Sequence, residues 1–236
     1  MEKLIKNKKI VICIDSPSAA GAGSISKLLA THYGLSYLDS GKCYRFCASL
    51  KIKYPNEYNY SFLKKKIMKL NPKELQNKYL LSEKVATEAS IIAKDIKIRK
   101  IVNIFQQKII NNPKGAVCDG RDMCTNLAPW SPFKFYVTAS VKVRSLRRFK
   151  ELKKLKKKIN LAEVRKSIEK RDKSDRTRSI APLIRAPQSI LINTSNLSIR
   201  SGFLKIKKMI DKKLYSYWKK YIKIVNLLHL KNSKNY

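Results

Sequence analysis

Val11-Ile12-Cys13-Ile14-Asp15-Ser16-Pro17-Ser18-Ala19-Ala20-Gly21-Ala22-Gly23-Ser24 joins an apolar run to a segment of small side chains. The run reads as a buried strand, and the small residues read as a tight loop that opens a helix. In that arrangement successive backbone N–H groups and a helix N-terminus cradle a chain of phosphates. The usual pattern is Gly-x-x-x-x-Gly-Lys followed by Ser or Thr. The frame is kept here, but Ser16 stands where the first Gly belongs and Ala22 where the Lys belongs. Ser16, Pro17, Ser18, Ala19, Ala20, Gly21, Ala22, Gly23 and Ser24 are therefore a candidate nucleotide-phosphate cradle without its cation. Alone, such a loop is a weak sign, because small-residue turns are common.

Outward from the loop, apolar runs at Lys9–Ile14, Leu35–Leu38, Ala116–Cys118, Phe133–Thr138 and Ser189–Asn193 read as strands. Helical periodicity marks Ser24–His32, Tyr44–Lys51, Phe62–Leu70, Glu83–Ala93, Ile98–Ile110, Val141–Lys157, Leu161–Lys170 and Ile199–Leu214. Between Tyr54 and Ser82 little else is patterned, and Arg171–Ser179 reads as a charge-dense loop. Strands alternating with helices imply an α/β fold with a parallel sheet covered by helices on both faces. Such sheets bind ligands at the carboxyl ends of their strands. The segments Ser16–Ser24, Asp39–Arg45 and Asp119–Asp122 all follow strands, so they should converge.

Composition narrows the classes. At 236 residues and 44% hydrophobic, the chain is long enough for one domain with a full core. No apolar run approaches the roughly 20 residues of a membrane span. Five scattered cysteines without CxxC spacing fit reduced thiols better than disulfides or zinc, and no metal-ligating cluster is expected. With 2 His, imidazole chemistry is not expected. The formal charge of +37 suits a polyanion such as RNA or an anionic membrane. The lysines, however, are spread evenly and not interleaved with aromatics, as drift in an AT-rich genome would leave them; nucleic-acid binding is not favoured.

Further residues carry chemistry. Asp39-Ser40-Gly41-Lys42-Cys43-Tyr44-Arg45 sets a hydroxyl and a guanidinium around a turn, and Asp119-Gly120-Arg121-Asp122 sets a guanidinium between carboxylates. Ser90 and Arg99 lie on neighbouring helices. Arg171-Asp172-Lys173-Ser174-Asp175-Arg176-Thr177-Arg178 packs cations with acids. Several arginines from separate loops are the kit expected for phosphoryl transfer.

In the order phosphate loop, Asp39-Ser40-Gly41 with Tyr44-Arg45, Val85-Ala86 with Ala89-Ser90 and Arg99, Asp119-Gly120-Arg121-Asp122-Met123, and Ser179-Ile180-Ala181-Pro182-Leu183, the chain resembles the bacterial cytidylate kinases from about Lys9 to Met209. The resemblance implies a P-loop nucleoside monophosphate kinase fold and transfer of the ATP γ-phosphate to CMP or dCMP, with Mg²⁺. It implies one domain over 1–214, a reduced acceptor-side insert near 52–84, a mobile lid near 150–182 and a basic extension over 215–236. By the same resemblance Ser90, Arg99 and Asp122 read cytosine. Arg45 and Arg121 clamp the acceptor phosphate beside Ser40, Arg171 and Asp175 contact the sugar, and Arg178 holds a phosphate. Arg147, Arg148 and the Arg171–Arg178 segment form the lid, so that Arg45, Arg121, Arg148 and Arg178 are the catalytic set. It further implies a cytoplasmic protein, expected as a monomer, with nucleotides as its partners.

Departures from the family are Ala22, Ser16 (strained if that position needs φ > 0), Asn193 in place of an Asp, and Lys42 at a position that is normally small. Lys42 is either a substitute cation or a solvent-facing lysine. Two readings of function stay open besides a kinase of another nucleoside monophosphate: an active kinase slowed by Ala22, or an impaired descendant that binds nucleotide or RNA. The extension, with Trp218 and Tyr221 among lysines, reads as a terminal helix docked on its own domain in preference to a membrane-surface or partner helix.

Overall fold

The computed structural model describes residues 9–154 and 159–232, without the side chains of Glu83 and of 220–232. Within these, β1 Val11–Asp15, β2 Ser36–Asp39, β3 Ala116–Gly120, β4 Phe133–Thr138 and β5 Ile190–Asn193 form a parallel sheet in the order β2-β3-β1-β4-β5. The chain leaves β1 for β2 and β3 on one side and reaches β4 and β5 on the other. The loop after β1 therefore sits where the strand order reverses, the crevice that such sheets offer to ligands.

The helices are α1 Ala22–Tyr33, α2 Ser40–Lys53, α3 Tyr60–Met68, α4 Glu83–Ile92, α5 Ile96–Ile110, α6 Val141–Lys154, α7 Leu161–Thr177 and α8 Ile199–Asn232. Alternation along β1 sends Ile12 and Ile14 to one face, against Ile25 and Leu29 of α1 and Ile206 and Ile210 of α8. Val11 and Cys13 go to the other, into a core with Phe46 of α2, Val85 of α4 and Phe105 of α5. A two-sided core of this kind explains why β1 and β3 are buried throughout. A third, smaller cluster of Leu152, Val164 and Ile168 joins α6 to α7. Cys13, Cys43, Cys47, Cys118 and Cys124 are all free and buried.

Several elements differ from the sequence reading. Asp39-Ser40-Gly41 is the cap and first turn of α2, because the Asp39 carboxylate accepts the Lys42 N–H at 3.1 Å. Two 3₁₀ turns, Pro72–Gln76 and Lys78–Leu81, follow α3, each capped by an asparagine. A single π-type turn spans Met123–Leu127. Most consequentially, Arg171–Thr177 is the continuation of α7 and not a loop. Its inner side is held by ion pairs, with Asp172 on Arg144 at 2.6 Å and Asp175 on Arg121 at 2.7 Å.

No described helix is long and apolar enough to cross a membrane. The extension does not dock over its described part: Tyr215, Ser216, Tyr217, Trp218 and Lys219 are all exposed on α8. Just before this stretch Lys213 Nζ donates to the Pro132 carbonyl at 2.7 Å and Leu214 packs against the core on the α1 side. The side chains of 220–236 lie outside the described residues.

Candidate active site

A cavity of about 510 Å³ opens at the carboxyl end of the sheet. The whole segment from Ser16 to Ser24 lines it, together with Ser40, Arg45, Ser90, Arg99, Arg121, Asp122, Arg148, Arg171, Asp175 and Arg178. Every site residue named from the sequence thus faces one space, Lys42 included. Eight cationic side chains face five carboxylates around it, so the space favours an anion.

The loop is built by its supports. Ser16 donates its N–H to the Gly120 carbonyl at 3.1 Å, which extends the β1 pairing by one residue. Ser16 is therefore not strained; the left-handed residues of the loop are Ala19 (φ 60) and Gly21 (φ 90). Arg144 Nη1 donates to the Ser18 carbonyl at 3.2 Å, and Arg147 Nη1 and Thr194 Oγ1 donate to the Ala20 carbonyl at 3.3 and 2.8 Å. With these carbonyls tied down, α1 starts without a side-chain cap, and its first amides carry the partial positive charge of a helix N-terminus. Gly23 is required by approach: a Cβ there would lie 3.1 Å from Asp119 Oδ2. Ala22 is buried against the α1 core face.

Beside the loop, Asp39 and Asp119 stand in register on β2 and β3. Asp119 accepts the Tyr37 hydroxyl at 2.7 Å; burial and the neighbouring Asp39 push its carboxyl well above the carboxylate range. Burial also lifts the Asp15 carboxyl to about 6, although it accepts the Met123 and Cys124 amides at 2.7 and 2.9 Å and so fixes the chain after β3.

Across the cavity, Arg99 is ion-paired to Asp122, donates to the Ala93 carbonyl at 3.2 Å and lies over the Tyr44 ring. Ser90 donates to the Thr87 carbonyl at 2.7 Å. Arg121 Nε meets Asp175 Oδ2 at 2.7 Å, Arg171 Nε lies 4.0 Å from the same oxygen, and Arg178 Nη1 lies 3.9 Å from Asp175 Oδ1. Burial and Arg121 pull the Arg171 guanidinium down to about 10. Burial and Arg148 lower Arg45, which donates to the Leu80 carbonyl at 2.8 Å. Arg171 Nε and Arg178 Nη2 are buried without a hydrogen-bond partner among the described residues. Buried donors of charged groups call for an acceptor, which an anionic ligand at this point would supply.

Some contributors were missed in the sequence. Gln106 is buried and donates to the Ser40 hydroxyl at 2.9 Å, fixing its direction. Its signal was a polar residue one turn from Val102 on the apolar side of α5. Arg144, nearly fully buried, had no local signal, because its partner Asp172 comes from the next helix.

A family model described as cytidylate kinase matches residues 12–212. A cytidylate kinase of Rhodopseudomonas palustris is 35% identical over 194 residues, covering 82% of this chain and 92% of that protein. One of Fervidobacterium nodosum is 33% identical over 212 residues, covering 86% and 96%. A crystal structure of an uncharacterized protein from Eubacterium ventriosum shares the fold, with TM-score 0.52 and 16% identity over 86% of this chain and 99% of that one.

Proposed function

We propose that this chain, which belongs to the cytidylate kinase family, transfers the γ-phosphate of ATP to CMP or dCMP, giving CDP or dCDP. The observation that carries the reading is a cation-rich cavity in which residues from separate segments meet, two of its buried guanidinium N–H donors having no hydrogen-bond acceptor among the described residues.

The residues divide by position. The loop Ser16–Ser24 and the start of α1 take the donor phosphates through backbone amides. Arg45 and Arg121 hold the acceptor phosphate beside Ser40. Arg99, Asp122 and Ser90 present donors and acceptors to a base edge, and a site of this kind rejects bases that leave its polar groups unpaired. Arg171, Asp175 and Arg178 adjoin the sugar and phosphate. An acceptor phosphate is already a nucleophile, so no general base is needed; the protein's task is positioning and charge neutralisation. Arg148 and the α6–α7 hairpin act as the lid that keeps water from competing as acceptor.

Mg²⁺ fits the residues present. Ser24 and Asp119 both line the cavity, Asp119 Oδ2 lying 3.1 Å from where a Cβ on Gly23 would sit, and Mg²⁺ prefers one or two protein oxygen ligands with phosphates completing its shell. Bound there, the ion supplies charge neutralisation on the donor phosphates. Among the described residues no group of three or more His, Cys, Asp or Glu stands together where it could hold a metal ion.

The test is CDP formation from CMP, ATP and Mg²⁺ by the purified chain and by Ala22→Lys. Turnover in the native chain is expected, and the variant should be at least as fast, one such electrostatic contact being commonly worth about 10²–10³ where no other cation replaces it. Silence in both, with salt-sensitive RNA binding, would move the chain to the impaired descendant.

A further inference from the structure

We propose that Lys42 supplies the donor-phosphate cation that the loop lacks at Ala22; this rests on the kinase reading above. The pattern of the loop calls for a lysine at its seventh position, and Ala22 has no functional group there.

The candidates for a replacement are the cations that line the cavity, and each arginine among them is held on its own wall by a carboxylate or a carbonyl, Arg171 and Arg178 turning the N–H groups that lack a partner among the described residues to the acceptor side. Arg99, Arg121, Arg171 and Arg178 answer to Asp122 and Asp175. Arg148 pairs with Glu151 at 2.9 Å, and Arg45 donates to the Leu80 carbonyl. Arg147 comes near the loop, its Nη1 lying 3.7 Å from where a Cβ on Gly21 would sit. Its guanidinium, however, is fixed by the carbonyls of Ala20, Thr194 and Leu197 and the Thr194 hydroxyl, and serves to hold the loop from behind.

Lys42 differs. Its backbone N–H is fixed to Asp39 Oδ1 at 3.1 Å, yet its half-buried side chain makes no hydrogen bond or ion pair among the described residues. It stands in the first turn of α2, directly after β2. Asp39 is level with Asp119, and Asp119 with Ile14, so the ends of β2 and β1 lie side by side with only β3 between. That is roughly 10 Å, two strand spacings. The loop leaves one end and Lys42 the other, and both face the same cavity. A flexible four-carbon stem ending in a rotatable point charge can settle between phosphates, which a fixed guanidinium fork cannot. The Asp39 carboxylate lines the same wall, so a phosphate chain bound there gains from a positive charge beside it.

The experiment measures ATP and AMP affinity by calorimetry on the full chain. It compares the native protein with Lys42→Ala, Lys42→Gln and the double variant Lys42→Ala/Ala22→Lys, folding being checked by thermal melts. Both single variants should weaken ATP by roughly tenfold or more, the scale of one charge-assisted hydrogen bond. AMP, which lacks the β- and γ-phosphates, should change by no more than about twofold on the same scale, and the double variant should regain ATP affinity. CDP formation, run in parallel, should lose kcat while KM for CMP holds. Unchanged ATP affinity, or equal weakening of ATP and AMP, overturns the proposal. If ATP binding depends on Lys42 but CMP is never phosphorylated, the proposal stands and the CMP kinase reading falls. If CMP is phosphorylated equally well by every variant, Lys42 falls alone.

Discussion

At Asp175 three guanidiniums converge, from Arg121, Arg171 and Arg178. Burial drives this carboxyl up, but Arg121 and Arg171 outweigh it and hold the group below the ordinary aspartate range. A carboxylate depressed by folding contributes stability that is present above its unfolded value and is lost as pH falls through its folded one. Asp175→Asn should therefore be less stable than the native chain by about 3 kcal/mol at pH 7, the scale of a broken buried pair. The gap should close as pH drops below about 4, where the unfolded aspartate titrates. Urea unfolding at stepped pH checks both. Gly23 makes a different kind of demand. With a Cβ 3.1 Å from Asp119 Oδ2, Gly23→Ala must displace that carboxylate by a few tenths of an ångström, so ATP affinity should fall severalfold while the melting temperature holds. Calorimetry beside a thermal melt separates the two. At this scale part of the site was legible from topology: loops that follow parallel strands end on one edge, so Arg45 and Arg121 could be assigned to one cavity with Ser16–Ser24, while Arg99 and Arg178, on α5 and at the end of α7, were assigned through the family resemblance. Gln106 and Arg144 were harder, since what makes them matter is a partner on another element.

Elements were legible where one face is apolar and opaque where it is charged. The strand-to-α1 transition is written in the switch from β-branched to small residues. The last turns of α7 carry Arg171, Asp175 and Arg178 toward the cavity, a face whose partners are distant carboxylates and guanidiniums, so local hydrophobic patterning had nothing to read. The order β2-β3-β1-β4-β5 was likewise out of reach, because register depends on which strand ends meet and not on any one run. The turn into β3 offers a clean test of the element scale. Gly115 has φ +81, and a Cβ there would lie 2.1 Å from the Ile10 carbonyl, the residue that leads into β1. Gly115→Ala should destabilise the chain by about 2–4 kcal/mol through backbone strain and separation of the β1–β3 pair. A lowered urea midpoint at unchanged slope is the expected reading.

For the molecule as a whole, a formal charge of +37 means self-repulsion in the folded state. Going from about 0.01 M to about 1 M salt shortens the screening length from roughly 30 Å to roughly 3 Å. The melting temperature should rise over that range while affinity for ATP falls, because the same screening weakens the cavity's pull on an anion. A melting series in KCl with a parallel titration reads both, and a melting temperature that falls with salt would contradict the repulsion argument. The thiols follow a separate logic. Burial pushes Cys13 and Cys47 to about 12 and Cys43 and Cys118 well above the usual range. Cys124 is raised as well, by burial and by Asp15. Only thiolate attacks an alkylating reagent. The folded chain should thus remain unlabelled by maleimide at neutral pH, and a single cysteine introduced at an exposed site such as Tyr217 becomes the one attachment point for a fluorophore or spin probe, with no native thiol replaced.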